Sequence, residues 1–296
     1  MKANIRRRFI LLFAAPLCMG LFSCIDDVDN LNLPDSSPKL VVQSFISPGD
    51  SIKVAVRSSK PYNYNTPQVG DSWEFEVISS SAVIIRDVDM GIEQSIPFKW
   101  DKSIFAIPPE DFTISPGHQY ELIVRANGFN DVIATTRVPD YSPSVTNVKV
   151  EATIANEWGE YSILAAGTIE DTPATSNSYA VYLYQYTIYT NENIDYTYPV
   201  SQSRMLLTDN LRNGENINFR VTMNAYYSYG EGERGETEIV VLSTDEHYYR
   251  FHKSLEGIYD IMDNPFAESA HLYSNMEGGL GIFASFVYIF DNRFSK

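Results

Sequence analysis

The sequence predicts an all-β protein: an N-terminal immunoglobulin-like β-sandwich, then a second β-rich domain with one helix near the C-terminus. Three observations predict it. Apolar and polar residues alternate with period two along many short runs. Turn residues such as Pro48-Gly49-Asp50, Pro116-Gly117 and Asn127-Gly128 punctuate the gaps between them. Aromatic residues are abundant, with 20 Tyr, 16 Phe and 3 Trp.

Residues 1–23 precede the folded part. Arg6, Arg7 and Arg8 lead an apolar run from Phe9 to Phe22, which is the pattern of a secretory signal peptide. The run is shorter than the ~20 residues that span a bilayer. Leu21-Phe22-Ser23-Cys24 resembles a bacterial lipobox, so lipid is expected on the sulfur of Cys24. Cys18 would leave with the signal, and no disulfide could form within the mature chain. Two or more acyl chains hold a protein on a membrane stably, which a diacylglyceryl group on Cys24 would satisfy. Residues 24–38 are acidic and proline-punctuated, the character of a flexible tether. Asp26 and Asp27 behind the cysteine resemble the signal that sends Bacteroidota lipoproteins to the outer face of the outer membrane. A simple solvated linker is the alternative.

The sandwich is expected over 39–140. Ile52, Val54 and Val56 alternate with Lys53, Ala55 and Arg57, and Trp73, Phe75 and Val77 alternate with Glu74 and Glu76. Val83 with Ile85, Tyr120 with Leu122 and Val124, and Val132 to Val138 continue the pattern. Pro116 to Leu122 looks like the turn and tyrosine that open a late strand of such sandwiches. Pro139-Asp140-Tyr141-Ser142-Pro143 breaks the period and marks the domain boundary.

Residues 141–296 form the second domain. Val145, Val148 and Val150, then Ile163 to Ile169, suggest strands, and Tyr179 to Tyr189 is the densest one. Gly230 to Glu236 reads as a hairpin tip. A helix is expected over about 244–262, because Ser243 to Glu246 has capping-box spacing. Tyr248, Phe251, Leu255 and Ile258 then share one helical face, and Asn264-Pro265 stops the helix. Leu280 to Phe290 is apolar on both faces, which suits a central strand.

Ser243 to Tyr249, Asn264-Pro265-Phe266 and Tyr273 to Phe283 together resemble the signature of the domain-of-unknown-function 4249 family. Leu40-Val41-Val42 behind the tether fits as well, so the resemblance covers nearly the whole mature chain. Ala270 stands where proline is expected, which bears on local loop shape. The resemblance implies a Bacteroidota lipoprotein encoded near TonB-dependent outer-membrane receptors. It implies no established activity.

Charge narrows the partners. The net charge is −16 and would become −20 once Lys2, Arg6, Arg7 and Arg8 leave with the signal. Such a surface repels nucleic acid and anionic lipid. No cofactor or metal is expected. His247 and His252 are five apart, whereas a zinc pair on a helix needs four, and His118 and His271 stand alone in the sequence. No Gly-x-Ser-x-Gly elbow is present. Gly278-Gly279-Leu280-Gly281 precedes a β-rich run, so it suits a bulge or tight turn better than a phosphate loop. Asn191, Glu192, Asn193 and Asp195 offer oxygens for calcium or simply form a solvated hairpin tip. The most suggestive feature is the stripe of Tyr182, Tyr184 and Tyr186 on one strand face. It is either sheet packing or a candidate partner surface.

The reading is a non-enzymatic outer-membrane lipoprotein, lipid-anchored and surface-exposed, acting as an accessory binding or assembly subunit beside a TonB-dependent receptor. A structural or adhesive surface protein is one alternative, and a hydrolase with an unrecognised site is another.

Overall fold

The computed structural model describes residues 37–59, 76–140, 143–154, 160–171, 173, 177–191, 194–209, 214–226, 233–262 and 271–295. Among these, alternation becomes structure first in β1 (Leu40–Ile46) and β2 (Ile52–Ser58), joined by the turn at Gly49. Leu40, Val42, Ile46, Ile52, Val54 and Val56 point inward, while Lys53 and Arg57 are exposed. β3 (Ala82–Asp87), β4 (Ile92–Ser95), β7 (Gln119–Arg125) and β8 (Val132–Arg137) form a four-stranded sheet in the order β4-β3-β7-β8. It covers β1 and β2, with β5 (Phe98–Lys99) and β6 (Ile104–Ile107) extending their side of the sandwich. Burial of Val83, Ile85, Leu122, Val124 and Val132 against Val42, Val54 and Val56 makes the first core.

Tyr120 is fully buried, and its hydroxyl accepts a hydrogen bond from the Ser115 N–H at 2.8 Å. This is the tyrosine corner of immunoglobulin-type sandwiches, tied back to the chain just upstream. Trp73 to Phe75 lie outside the described residues, and Val77 makes an isolated bridge with Arg57.

The second half uses β9 (Val145–Ile154), β10 (Glu160–Ile169) and β13 (Ile217–Tyr226), a three-stranded sheet in the order β13-β10-β9. The uneven spacing of Val145, Val148 and Val150 has a cause. Asn147 adopts φ 55°, and the ladder shifts opposite Gly167. This bulge resets the alternation, so all three valines pack on the second core. That core lies against β11 (Ser178–Asn191), β14 (Glu233–Thr244) and β15 (Leu280–Ser295) through Tyr179, Val181, Leu183, Ile239 and Val241. β12 (Ile194–Thr208) pairs with β11 and edges the sheet. Glu233 to Glu236, expected in a hairpin tip, belong to β14, while residues 227–232 lie outside the described residues.

β15 is central, as its two apolar faces require. The large sheet runs β12-β11-β14-β15-β1-β2-β6-β5, so β15 has β14 antiparallel on one side and β1 parallel on the other. The expected boundary near residue 140 falls between β8 and β9, and β15 joins strands from both sides of it. Residues Pro38–Lys296 form one compact unit. Phe283 enters the first core, Ile282 and Ala284 face the opposite side, and Phe290 and Phe294 reach the second core. A register shift between Val241 and Leu242 leaves Ile289 as the extra residue that makes this change of face possible.

The glycine run before β15 exists for this strand. Gly281 has φ +120°, and a Cβ there would sit 1.8 Å from the Val42 carbonyl oxygen. Gly278 has φ +81°, with a Cβ position 2.1 Å from the Asp131 carbonyl oxygen. Only glycine lets the backbone come this close to β1 and to the start of β8.

The helix, α1, spans Glu246–Met262, two residues later than the capping-box spacing predicted. Ser243 and Thr244 stay in β14, paired with Tyr179 and Ser178 of β11. Asp245 is therefore the cap, and its Oδ1 accepts the Tyr248 N–H at 2.7 Å. Both residues are good cap types; sheet pairing chose between them. Tyr248, Phe251 and Leu255 cover Ala180, Val240, Leu242, Ile282 and Ala284, with Phe45 of β1 alongside. Asn264-Pro265 lies outside the described residues.

Asp245 also locks three elements together. Its Oδ2 meets the Thr136 hydroxyl of β8, which stands 3.0 Å from Ser285 Oγ of β15. Ser285 donates in turn to the Arg137 carbonyl at 3.0 Å. With Asp245 protonated, each hydroxyl hydrogen serves one acceptor along this chain. Burial pushes the Asp245 carboxyl up to about 7, although bonds from Thr136, Tyr248 and Ser285 oppose the rise.

Two expectations follow. Gly281→Ala should cost more than ~4 kcal/mol and lose the folded chain, whereas Ala at the open turn position Gly128 should cost ~1–2 kcal/mol; urea titration of both variants reads this. Asp245 binds its proton more tightly folded than unfolded. Its contribution is therefore full below pH about 4 and is lost as the pH rises through about 7. Asp245→Asn keeps the cap, so its stability-against-pH curve should be flatter over that window than that of the wild type.

Candidate functional site: a tyrosine groove beside the helix

The helix covers only part of its sheet face. Beyond it lies a groove of about 310 Å³ lined by Tyr182, Tyr184 and Tyr186 of β11, Glu238 of β14, Tyr248 of α1, and Tyr288 and Asp291 of β15, among others. Period-two alternation along β11 puts the three predicted tyrosines on this face, while Val181 and Leu183 point into the second core.

The rings are not laid flat. Tyr182 and Tyr184 stack on each other with centroids 5.5 Å apart and planes 2° from parallel. Tyr186 continues the row at 6.2 Å, tilted by 32°. Their facing sides are spent on one another, and ring edges line the groove. Tyr182 and Tyr248 hydroxyls meet at 2.5 Å, which ties the row to the helix. The Arg204 guanidinium lies 6.0 Å from the Tyr182 ring centroid, and it reaches His252 Nδ1 at 2.5 Å. Burial first, then Arg204, holds the His252 imidazole down to about 3, so it is neutral and accepts this bond.

At the other end, the Tyr186 hydroxyl donates to Glu238 Oε2 at 2.8 Å. Arg293 Nε donates to Glu238 Oε1 at 2.6 Å, and its guanidinium sits 5.1 Å from the Tyr186 ring centroid. Burial and the Glu238 bond push the Tyr186 phenol up to about 12. Burial and then Asp50 do the same for Tyr288, also to about 12. Burial raises Tyr184 and Tyr248 as well. These phenols stay neutral at physiological pH and act as hydrogen-bond donors. Hydroxyls, ring edges and carboxylates line the groove.

Tyr182 and Tyr184 pack on the cluster under α1, and all three rings line the groove. Sequence reasoning missed Glu238, Phe286, Tyr288 and Asp291. Phe286 and Tyr288 alternate visibly within β15, but nothing in their own segment says that β11 lies two strands away. Cys24 lies outside the described residues. Of the acidic turn, residues 192–193 also lie outside them, and Asp195 pairs with Arg234 at 2.7 Å. His247 bonds the Tyr273 hydroxyl at 2.7 Å.

One cluster was not foreseen. Asp87, Asp89 and His118 bring their ligand atoms within 4.8 Å of one another. These atoms are already engaged. Asp87 accepts from the Met90 N–H at 3.0 Å and meets His118 Nδ1 at 2.8 Å, and Asp89 accepts from the Gln119 N–H at 2.6 Å. Burial raises the Asp87 carboxyl, but the His118 and Met90 bonds outweigh it and hold the group below its usual range. The cluster pins the β3–β4 turn to β7.

The sequence matches a family described as domain of unknown function DUF4249 over residues 27–288. The chain belongs to the DUF4249 family. Two solved structures align with it weakly. A structure entitled "Cytokine receptor complex - Crystal form 2" aligns with 70% of this DUF4249 chain and 92% of its own, at 11% identity and a TM-score of 0.23. A Salmonella alpha-2-macroglobulin aligns with 88% of this chain and 15% of its own, at 10% identity and a TM-score of 0.24. No curated protein matches the chain.

The packing role and the groove role separate by mutation. Tyr184→Ala should cost ~3 kcal/mol, because it empties a site between the Tyr182 and Tyr186 rings. Tyr186→Phe should cost ~0.5–1.5 kcal/mol, since Glu238 keeps Arg293. Thermal melts of the two variants check the difference.

Proposed function

We propose that this protein is a non-enzymatic, lipid-anchored accessory binding subunit of the outer membrane that works beside a TonB-dependent receptor. The groove is its contact surface. The observation that carries the reading is an open groove of about 310 Å³ floored by neutral tyrosine hydroxyls and walled by the carboxylates of Glu238 and Asp291. Such a surface hydrogen-bonds and excludes water around ring edges, the chemistry of recognition. The lipobox ending at Cys24 and the acidic tether support the location, and the acidic surface supports an anchor made of acyl chains rather than charge. No helix among the described residues is long and apolar enough to cross a membrane.

A structural or adhesive surface role is favoured by a different observation. Tyr189, Tyr196, Tyr198 and Val200 are exposed together on the β11–β12 hairpin. Mutating that hairpin and the groove separately distinguishes the two roles.

Cys24→Ser should abolish palmitate labelling and release the protein from the membrane fraction; equal labelling of both forms overturns the anchor. In detergent extracts, the wild type should retain the receptor on an affinity resin and Tyr288→Ala should lose most of it at an unchanged melting temperature. Full retention by that variant removes the groove from the interface.

A further inference from the structure

We propose that the groove takes the guanidinium of an arginine side chain, carried by a peptide segment of the partner and seated on Tyr288 against Asp291. This rests on the reading of the groove as a binding surface, and it specifies the chemistry bound there.

One guanidinium of the chain already sits against two groove residues. Arg293 lies over the Tyr186 ring and is bonded to Glu238. This pair shows the arrangement that the site favours: a planar cation on a ring face with a carboxylate at its edge. It uses up Glu238. Asp291, two residues away on the same strand, lines the groove and has no hydrogen bond or ion pair among the described residues. Arg293 therefore balances one of the two groove carboxylates, and one negative charge is left over. Asp50, which reaches Tyr288 from the β1–β2 turn, adds another.

Tyr288 provides the second ring. It is 45% exposed and stands edge-on to Phe286 with centroids 5.2 Å apart, so one neighbour fixes it while much of its surface stays open. Burial and the Glu238 charge push the Asp291 carboxyl above its ordinary range, despite Arg293, and an incoming cation relieves that repulsion. The chain's charge of −16 draws cations from a distance.

Rival ligands fit less well. A sugar ring on Tyr288 would leave the Asp291 charge unbalanced, and the other ring faces are taken, since Tyr182 and Tyr184 face each other and Arg293 caps Tyr186. An anion would meet the carboxylates. An ammonium would satisfy Asp291 but could not stack on Tyr288 as a guanidinium does.

The test uses the full-length protein in detergent and two peptides, acetyl-Gly-Arg-Gly-amide and its citrulline counterpart, which keeps the shape and loses the charge. Calorimetric titration should show the arginine peptide binding at least about tenfold tighter than the citrulline peptide. Asp291→Asn should abolish that preference, while Asp195→Asn, an exposed acid away from the groove, should retain it. Equal binding of the two peptides, no binding of either, or an unchanged preference in Asp291→Asn overturns the proposal. Receptor retention then tells the two levels apart. If Tyr288→Ala still releases the receptor, the groove remains the contact surface and only the cationic ligand falls. If it does not, both fall.

Discussion

The parallel pairing of β1 with β15 is the contact on which the rest of the fold depends. It joins the first described strand of the chain to the last, from Val41 opposite Leu280 to Ile46 opposite Ser285. Parallel neighbours cannot be made by a hairpin, and here the connection is most of the protein. The pairing requires the β15 backbone to pass closer to Val42 than any side chain allows, so Gly281 is obligatory. Once β15 is seated, its faces belong to different cores. Phe283 completes the sandwich core, Phe290 and Phe294 complete the second one, and Ile282 and Ala284 receive the helix.

The same strand joins the polar interior to the apolar one. Ser285 is buried at the point where β15, β8 and the helix cap converge, and Asp245 and Thr136 meet it there. Buried polar groups cost free energy unless each finds a partner. Burial displaces the Asp245 carboxyl toward neutrality, and the hydroxyl chain around it accommodates the protonated form. The helix start is thereby set by tertiary contacts and only secondarily by cap preference.

The groove arises from an incomplete cover. α1 is amphipathic and spends Tyr248, Phe251 and Leu255 on the sheet, but β11, β14 and β15 run on past it. The continuing face carries tyrosines, which tolerate having one end packed and one end wet. It also carries Glu238, which is buried and so needs both Tyr186 and Arg293. Packing and the groove lining share residues here. Tyr182 and Tyr184 hold the row rigid, and Tyr186 and Tyr288 present it.

The sequence by itself determined the elements and their inward faces. Period-two alternation marked β1, β2, β3, β7 and β8, the two-faced apolar run marked β15 as central, and the turn before Tyr120 marked the tyrosine corner. It also placed Tyr182, Tyr184 and Tyr186 on one face and the chain in the DUF4249 family. These are local properties, set by side-chain direction along a strand and by short-range turn chemistry. Only the tertiary structure decided which strands are neighbours. That decision brought Tyr288 and Asp291 beside Tyr186, moved the cap from Ser243 to Asp245, and assembled Asp87, Asp89 and His118. Each depends on pairing between segments far apart in the chain. Such pairing is selected by the total burial and hydrogen bonding of whole sheets, and no single segment carries the information for it.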